Sequence, residues 1–338
     1  MKNVLIKKFI TLSYLVIACL AMCSQVVNAI NLKNEVADEN SINSGRALIT
    51  ELQNKKWIHG SVDCKDNQDP SIEVFQYDSS SYILRQNKCL SYEAPFIYVL
   101  IGDNKTVVVD TGATEDEKQF PLFKTIKSLH DKHVVKDGAN ERELLVIHTH
   151  SHGDHYAADS QFLNQANVTV IAANNKGVDE FFGFNESPEK QVRLDLGGRH
   201  LLIMATPGHQ EEAITIYDSQ TQWLLTGDSF YPGIVYVKDW QDYRTSIARL
   251  ASFVKEHTVS AILGAHIEMT NKAGQYYDIG TIYQPNESPL PLFAKHLLAL
   301  DSKLNEADNP KKISMKSLII EPLGALPKLI GKIAKWFM

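Results

Sequence analysis

One short segment, Val146 to Tyr156, constrains what this chain can fold into more than any other. It reads Val-Ile-His-Thr-His-Ser-His-Gly-Asp-His-Tyr, so four histidines and one aspartate fall within eight positions after an apolar, β-branched run. Such a run predicts a buried strand, which places the polar residues on the loop that follows it. Imidazole nitrogens and carboxylate oxygens are the donors that zinc and similar divalent metals bind. The spacing therefore predicts that His150 and His152 bind one ion, and that Asp154 and His155 bind a second.

This motif and four others resemble the motifs of the metallo-β-lactamase superfamily of metal-dependent hydrolases. The others are Val107-Val108-Val109-Asp110-Thr111-Gly112, Ala205-Thr206-Pro207-Gly208-His209, Leu225-Thr226-Gly227-Asp228 and Ile262-Leu263-Gly264-Ala265-His266, in the family's order. The resemblance covers the chain from about Phe96 to about Glu268. It implies an α/β fold of the αββα sandwich type, in which two sheets are flanked by helices and the metals lie on loops at one edge.

The resemblance also implies a complete site for two divalent metal ions. The metal ligands would be His150, His152 and His209 for the first ion, Asp154, His155 and His266 for the second, and Asp228 as the bridge. Asp110 would support the site without touching a metal, and Asp154 and Asp228 would be the catalytic carboxylates. Zinc is the expected metal on ligand type, although iron and manganese bind the same donors.

Two ions about 3.5–4 Å apart can share one hydroxide. Metal binding lowers the pKa of water from 15.7 to about 7, so hydroxide is available at neutral pH. We therefore predict hydrolysis of an ester, thioester, lactone or amide bond by metal-bound hydroxide. The ligand pattern around Asp228 is similar to that of glyoxalase II. β-Lactam hydrolysis, phosphodiester cleavage and metal binding without turnover stay open as alternatives. The group of metallo-β-lactamases with a cysteine ligand at the bridging position is excluded, since no cysteine follows Cys89.

Charge indicates the class of partner. The formal net charge is -6 at pH 7, whereas proteins that bind nucleic acid usually carry a basic stripe for phosphate contacts. We therefore expect a small-molecule substrate and no nucleic-acid partner.

The amino terminus resembles a secretory signal peptide over residues 1–29. A basic start precedes an apolar run from Phe9 to Met22, and Val27-Asn28-Ala29 offers the small residues of a cleavage site. This pattern predicts export, to the periplasm or the medium. The segment Leu15-Val16-Ile17-Ala18-Cys19 also resembles a lipoprotein cleavage box, so attachment to a membrane through a lipidated Cys19 stays open.

After removal of residues 1–29, only Cys64 and Cys89 would remain, and an exporting route predicts a disulfide between them. Two buried free thiols are the alternative.

We expect three further regions: an N-terminal mixed segment (30–90), the catalytic domain (91–270) and a C-terminal extension (271–338). The extension ends in a basic amphipathic tail, which would contact a membrane or pack on the catalytic body.

Hydrophobic periodicity predicts several elements of the catalytic region. These are a hairpin of strands at Phe96–Ile101 and Lys105–Asp110 and helices over Phe120–Leu129 and Tyr243–Glu256. Between residues 31 and 88 the pattern is weak apart from a helix near Gly45–Leu52.

Overall fold

The computed structural model describes residues 44–133, 142–184, 186–187 and 190–324. The predicted signal peptide, Cys19 and the tail at residues 325–338 lie outside the described residues. The chain divides into two compact units, Met1–Glu51 and Leu52–Met338. The described residues of the first unit are 44–51, and they belong to helix α1 (residues 44–54), close to the predicted helix. Everything that follows concerns the second unit.

The first sheet has six strands in the order β1-β2-β3-β4-β5-β6. They are β1 (Ile72–Gln76), β2 (Ser81–Gln86), β3 (Phe96–Ile101), β4 (Lys105–Val109), β5 (Glu143–Ile147) and β6 (Val168–Val170). Strands β1 to β4 are antiparallel, and β4, β5 and β6 run parallel to one another. Helix α2 (Leu122–Asp131) covers this sheet, because its apolar stripe of Leu122, Ile126 and Leu129 joins the same core as Val99 and Val146.

The second sheet has five strands in the order β12-β10-β9-β8-β7. They are β7 (Gln191–Asp195), β8 (His200–Ala205), β9 (Ile214–Asp218), β10 (Trp223–Gly227) and β12 (Ala261–Gly264). Helices α5 (Trp240–Glu256) and α6 (Ala294–Asn305) pack on it, with Ile247, Leu250 and Leu297 in one core with Leu224 and Ile262. Helix α5 begins at a side-chain cap, since Asp239 accepts a hydrogen bond from the Asp242 N–H at 2.9 Å. Two shorter helices, α3 (Gly153–Tyr156) and α4 (Asn175–Phe182), lie between β5 and β7.

Contacts between the two sheets close the sandwich. The Tyr98 hydroxyl of the first sheet donates to the Gly264 carbonyl of the second at 2.6 Å. Arg199, in the turn between β7 and β8, donates to Ser81 Oγ at 2.9 Å and to the Ile101 carbonyl at 3.3 Å. Its guanidinium also pairs with Asp218 in the second sheet at 2.6 and 2.9 Å. Two sheets with helices on their outer faces form the αββα sandwich that was predicted.

The last described strands extend the second half of the molecule. Strand β14 (Ile319–Pro322) lies between β11 (Ile234–Val237) and β13 (Ile313–Ser314), pairing parallel with β11. Residues on both sides of position 270 therefore share one core, and the division of the chain into regions stays a prediction. Within the described ranges, no helix combines the length and apolar character needed to cross a membrane.

Cys64 and Cys89 form a disulfide, the predicted pair, with Cα atoms 5.3 Å apart. It joins the loop before β1 to the loop between β2 and β3, and so ties the N-terminal segment to the first sheet.

Candidate metal centre

All seven predicted metal ligands lie just beyond the ends of strands, and the structure gathers them at one edge of the sandwich. The described chain holds two groups with the composition of a metal site. His150 and His152 follow β5, and Asp154 and His155 lie in α3, so these four come from the first sheet. The other three follow strands of the second sheet: His209 after β8, Asp228 after β10 and His266 after β12.

The first cluster consists of His150, His152, His209 and Asp228, whose donor atoms all lie within 4.8 Å of one another. His152 Nδ1 lies 2.9 Å from His150 Nε2 and 3.1 Å from His209 Nε2. Asp228 Oδ2 lies 3.8 Å from His150 Nε2 and 3.7 Å from His209 Nε2. Donors placed tetrahedrally at zinc bond lengths are about 3.3 Å apart, so this set fits one tetrahedral ion.

The second cluster consists of Asp154, His155 and His266. Asp154 Oδ2 lies 3.3 Å from His155 Nε2 and 3.2 Å from His266 Nε2. The two imidazole nitrogens are 3.4 Å apart. These separations also fit donors around a single ion.

Asp228 faces both clusters with different oxygens. While Oδ2 points to the first cluster, Oδ1 lies 3.7 Å from His155 Nε2 and 3.4 Å from His266 Nε2 in the second. Oδ1 is buried without a hydrogen-bond partner among the described residues. A buried carboxylate oxygen without a partner is costly unless a cation satisfies it. The residues present therefore fit two divalent ions with Asp228 between them.

Hydrogen bonds on the far side of three imidazoles orient their Nε2 atoms toward the clusters. Nδ1 of His209 lies 2.7 Å from the Tyr236 carbonyl, and Nδ1 of His266 lies 3.0 Å from the Glu93 carbonyl. Nδ1 of His155 lies 2.9 Å from Asp110 Oδ2. Because each Nδ1–H donates to an oxygen, Nε2 keeps its lone pair for a metal.

Asp110 lies in neither cluster but contacts a ligand of the second one. Its carboxylate accepts from the Thr149 N–H at 2.7 Å as well as from His155. Its φ of 68° is in the left-handed region, which aspartate tolerates better than most residues. Asp110 thus links the start of the histidine loop to a ligand of the second cluster.

Two glycines in the motifs allow close approaches that a side chain would block. Gly227 has a φ of 49°, and a Cβ there would lie 2.5 Å from Thr149 Cβ. Gly208 has a φ of 136°, and a Cβ there would lie 2.4 Å from Tyr243 Cα in α5. Glycine is required at both positions, since only it combines this backbone conformation with the space available. The neighbouring Asp228 and His209 owe their positions to these approaches.

The electrostatics of the two clusters differ. Burial holds the pKa of His150 well below its usual range, lowers the pKa of His152 to about 4 and lowers that of His209. Burial acts the same way on His155 and His266, but the surrounding aspartates outweigh it. They raise the pKa of His266 to about 9 and that of His155 well above its usual range. The first cluster thus offers neutral imidazoles, whereas the second attracts positive charge, and both properties suit a cation.

His148, the first histidine of the segment, is a ligand in neither cluster. Its buried ring places Nδ1 3.1 Å from the His155 carbonyl and Nε2 3.2 Å from Asp159 Oδ2. Tyr156 is 38% exposed beside it. The remaining histidines are also in neither cluster: His59, His130, His133, His200, His257 and His296.

Sequence reasoning missed two residues that hold the first cluster from outside. The Gln210 side-chain amide contacts His152 Nε2, on the ring edge away from the cluster. Glu212 Oε1 accepts a hydrogen bond at 3.0 Å from the N–H of Ser151, the residue between His150 and His152. Glu212 is 5% exposed. Gln210 and Glu212 closely follow the predicted ligand His209, which was the only sign in the sequence that they lie near the site. The fold is needed to show that their loop reaches the loop that carries His150 and His152.

We expect Glu212→Ala to weaken metal binding at the first cluster by about 10- to 100-fold, the usual effect of losing a group that orients a ligand. Glu212→Gln keeps an acceptor for the Ser151 N–H and should stay within a few-fold of wild type. Competition with a chromophoric chelator measures both affinities. Equal affinities for Glu212→Ala and wild type would show that Glu212 does not position the ligands.

Comparison with known proteins agrees with this geometry. Residues 93–261, half of the chain, match the family model described as the metallo-beta-lactamase superfamily. The chain belongs to the metallo-β-lactamase superfamily. It is therefore a metal-dependent hydrolase of this superfamily.

Individual members of the superfamily are distant from this chain. The human protein named acyl-coenzyme A thioesterase MBLAC2 is 26% identical over 204 residues, which cover 50% of this chain and 72% of that protein. The hydroxyacylglutathione hydrolase of Rhizobium meliloti is 25% identical over 91 residues, or 25% of this chain and 33% of that protein. Among solved structures, the metallo-beta-lactamase from Pontibacter korlensis is 14% identical with a TM-score of 0.43, covering 68% of this chain and 99% of that chain.

Proposed function

We propose that this hydrolase is dinuclear and cleaves an acyl bond, with thioesters as its substrate class. One observation carries the dinuclear part: the buried Asp228 carboxylate directs one oxygen to each cluster, and Oδ1 has no partner among the described residues. A single ion would satisfy only one of these oxygens.

In this proposal His150, His152 and His209 hold the first ion, Asp154, His155 and His266 hold the second, and Asp228 holds both. When bound, the ions lower the pKa of water and polarise the acyl oxygen of the substrate. The Asp154 side chain is 19% exposed and that of Asp228 is 10% exposed, so Asp154 is the carboxylate nearer the solvent. Burial by itself would raise the pKa of Asp154, but His155 and His266 lower it. As a ligand of the second ion, Asp154 would also be ionised, and it would accept a hydrogen bond that orients the attacking water.

The leaving group favours a thioester. His155, His209 and His266 use Nδ1 for an oxygen partner and direct Nε2 to the ions, so none of the three is available to protonate a leaving group. A thiol has a pKa of about 8.5 and departs as a thiolate without such help, whereas the nitrogen of an amide or β-lactam needs a proton. The names of two relatives, a thioesterase and a hydroxyacylglutathione hydrolase, support the same choice.

The test is metal analysis and a substrate panel on protein purified without chelator. We expect about two ions per chain and thioester hydrolysis that a chelator abolishes and added zinc restores. A lactone, a β-lactam and a phosphodiester complete the panel. One ion per chain would refute the dinuclear proposal, and faster cleavage of another bond class would replace the thioester. Iron or manganese in place of zinc would change only the metal.

We also propose that the protein is exported, on the basis of the leader-like residues 1–29 and of the Cys64–Cys89 disulfide, which suits an oxidising compartment. Mass spectrometry of the protein from the native host should give a chain that begins near Ile30. A chain that retains residues 1–29 would overturn the proposal. A mass carrying lipid at Cys19 would replace a soluble product with a membrane-anchored one.

A further inference from the structure

Three polar residues beside the loop of metal ligands belong to neither cluster: Thr111, His148 and Asp159. Thr111 follows β4 and His148 follows β5, the neighbouring strand, while Asp159 lies in the 3₁₀ turn Ala157–Gln161 after α3. The side chains of Thr111 and His148 are buried, and that of Asp159 is 20% exposed. These residues therefore lie between the ends of two strands and the short helix that carries ligands of the second cluster.

The backbone carbonyl of His155 is the point at which these residues meet the second cluster. It accepts hydrogen bonds from the Thr111 N–H at 2.7 Å and from His148 Nδ1 at 3.1 Å. The Ala157 N–H donates to the Gly112 carbonyl at 3.0 Å, which fixes the end of α3 to the same strand end. A ligand whose backbone is held in this way keeps its side chain in the geometry that an ion requires.

Asp159 contacts both of the residues that donate to this carbonyl. Its Oδ1 accepts a hydrogen bond from Thr111 Oγ1 at 2.8 Å, and its Oδ2 lies 3.2 Å from His148 Nε2. Because a carboxylate has two oxygens, one side chain can orient the hydroxyl and the imidazole together. Without this carboxylate, Thr111 and His148 would each lose a partner that fixes the side chain.

The first cluster is supported by other residues. Glu212 accepts from the Ser151 N–H at 3.0 Å, and the Gln210 amide contacts His152. Within the described residues, no hydrogen bond or ion pair joins Asp159 to a ligand of the first cluster. Glu212 and Asp159 therefore support different clusters.

We propose that Asp159 is a positioning residue for the second metal ion and acts through Thr111 and His148. It is a ligand of neither ion, but it keeps the His155 backbone where the imidazole reaches the second cluster. The inference rests on the dinuclear function proposed above, because it concerns only the second of the two ions. Loss of Asp159 should leave a protein that retains the first ion and releases the second more readily.

The test is stepwise removal of zinc from the loaded protein by a chromophoric chelator, followed to equilibrium. Wild type should give two dissociation constants, and His266→Ala, which removes a ligand of the second cluster, shows which constant belongs there. Residues that support a ligand usually change metal affinity by about 10- to 100-fold. Asp159→Ala should raise the dissociation constant of the second ion about tenfold, at the lower end of that range, because it acts through the ligand's backbone. The constant of the first ion should stay unchanged.

Three further variants make the result specific. Asp159→Asn keeps an acceptor for the Thr111 hydroxyl and a polar group facing His148, so it should restore most of the affinity for the second ion. Thr111→Val removes the hydroxyl and should also weaken the second ion. Combined with Asp159→Ala it should add little, because residues of one network are not additive. Asp308→Ala, at an aspartate whose side chain is 92% exposed, should change neither constant.

Equal constants for Asp159→Ala and wild type would overturn this inference and leave the dinuclear proposal standing. Equal weakening of both ions would also overturn it, since Asp159 would then support the fold as a whole. A wild type that binds one ion would overturn both this inference and the dinuclear proposal. Thermal unfolding and retention of the first ion show whether Asp159→Ala folds. If it does not, Thr111→Val decides by the same criteria.

Discussion

Replacing Asp228 with asparagine should reduce kcat/KM by about 10³-fold or more. Asparagine has nearly the same shape, but it cannot supply an anionic oxygen to each cluster as Asp228 does. The Lewis-acid contribution of a metal to the transition state is several kcal/mol, and each 1.36 kcal/mol corresponds to a tenfold change in rate. We also expect metal content to fall from about two ions per chain to one or fewer. Steady-state kinetics and metal analysis of the same preparation measure both effects.

Asp195→Asn is the matched control, because it makes the same change at an exposed position whose side chain is 67% accessible. It should retain full activity and metal. Activity within tenfold of wild type for Asp228→Asn would remove Asp228 from the catalytic machinery. A full complement of metal with activity lost would instead assign Asp228 to the reaction rather than to metal retention.

Replacing Arg199 with methionine should lower the free energy of unfolding by about 3–5 kcal/mol, the usual cost of leaving one member of a buried ion pair alone. The Arg199 and Asp218 side chains are 1% and 0% exposed. Arg199 also donates to Ser81 Oγ and the Ile101 carbonyl of the opposite sheet, so its loss removes a polar link across the sandwich. Chemical denaturation of the metal-loaded protein measures the change.

Two further variants distinguish charge from packing. Arg193→Met, at an exposed position on β7, should change stability by less than about 0.5 kcal/mol. Adding Asp218→Asn to Arg199→Met should recover part of the loss, because no unpaired charge is then buried. If Arg199→Met lowers the free energy of unfolding by less than about 1 kcal/mol, the Arg199–Asp218 pair contributes no more than an exposed ion pair does.

The Arg199–Asp218 pair should also make the stability of the protein depend on pH in the acid range. Burial alone would raise the pKa of Asp218, but hydrogen bonds and charge from Arg199 lower it below its ordinary value of 3.8. A carboxyl with a lower pKa in the folded state stabilises the fold above the pKa of the unfolded state. That contribution is lost as the pH falls below about 4, through the folded pKa. Arg199→Met should therefore show a shallower loss of stability with acid than wild type.

The positions of the predicted metal ligands follow from local sequence. His150, His209 and His266 each come shortly after an apolar run that forms a strand, at β5, β8 and β12. Ligands on loops at one edge of a sandwich converge, and the resemblance of the five motifs to those of the family was enough to predict which residues would meet. The helices α2 and α5 were predictable for a similar reason, since their apolar residues recur at helical spacing.

Other features depend on partners far away in sequence. Strand β2 was not predicted, because its buried Arg85 and Gln86 interrupt the apolar pattern of a core strand. Arg85 is tolerated there because Glu287, 202 positions later, pairs with it. Strand β14 likewise pairs with β11, which is remote in the chain. Glu212 was missed because its partner, the Ser151 N–H, is a backbone group that no sequence motif displays.

The distribution of donors between the sheets bears on the supply of metal. Four donors follow β5 of the first sheet, and three follow β8, β10 and β12 of the second. Ions held as proposed would cross-link the two sheets at one edge of the sandwich. A ligand that binds only the folded state raises the free energy of unfolding by RT ln(1 + [L]/Kd). Scarcity of zinc would then deplete the folded protein as well as slow the reaction, so the metal would govern how many enzyme molecules survive.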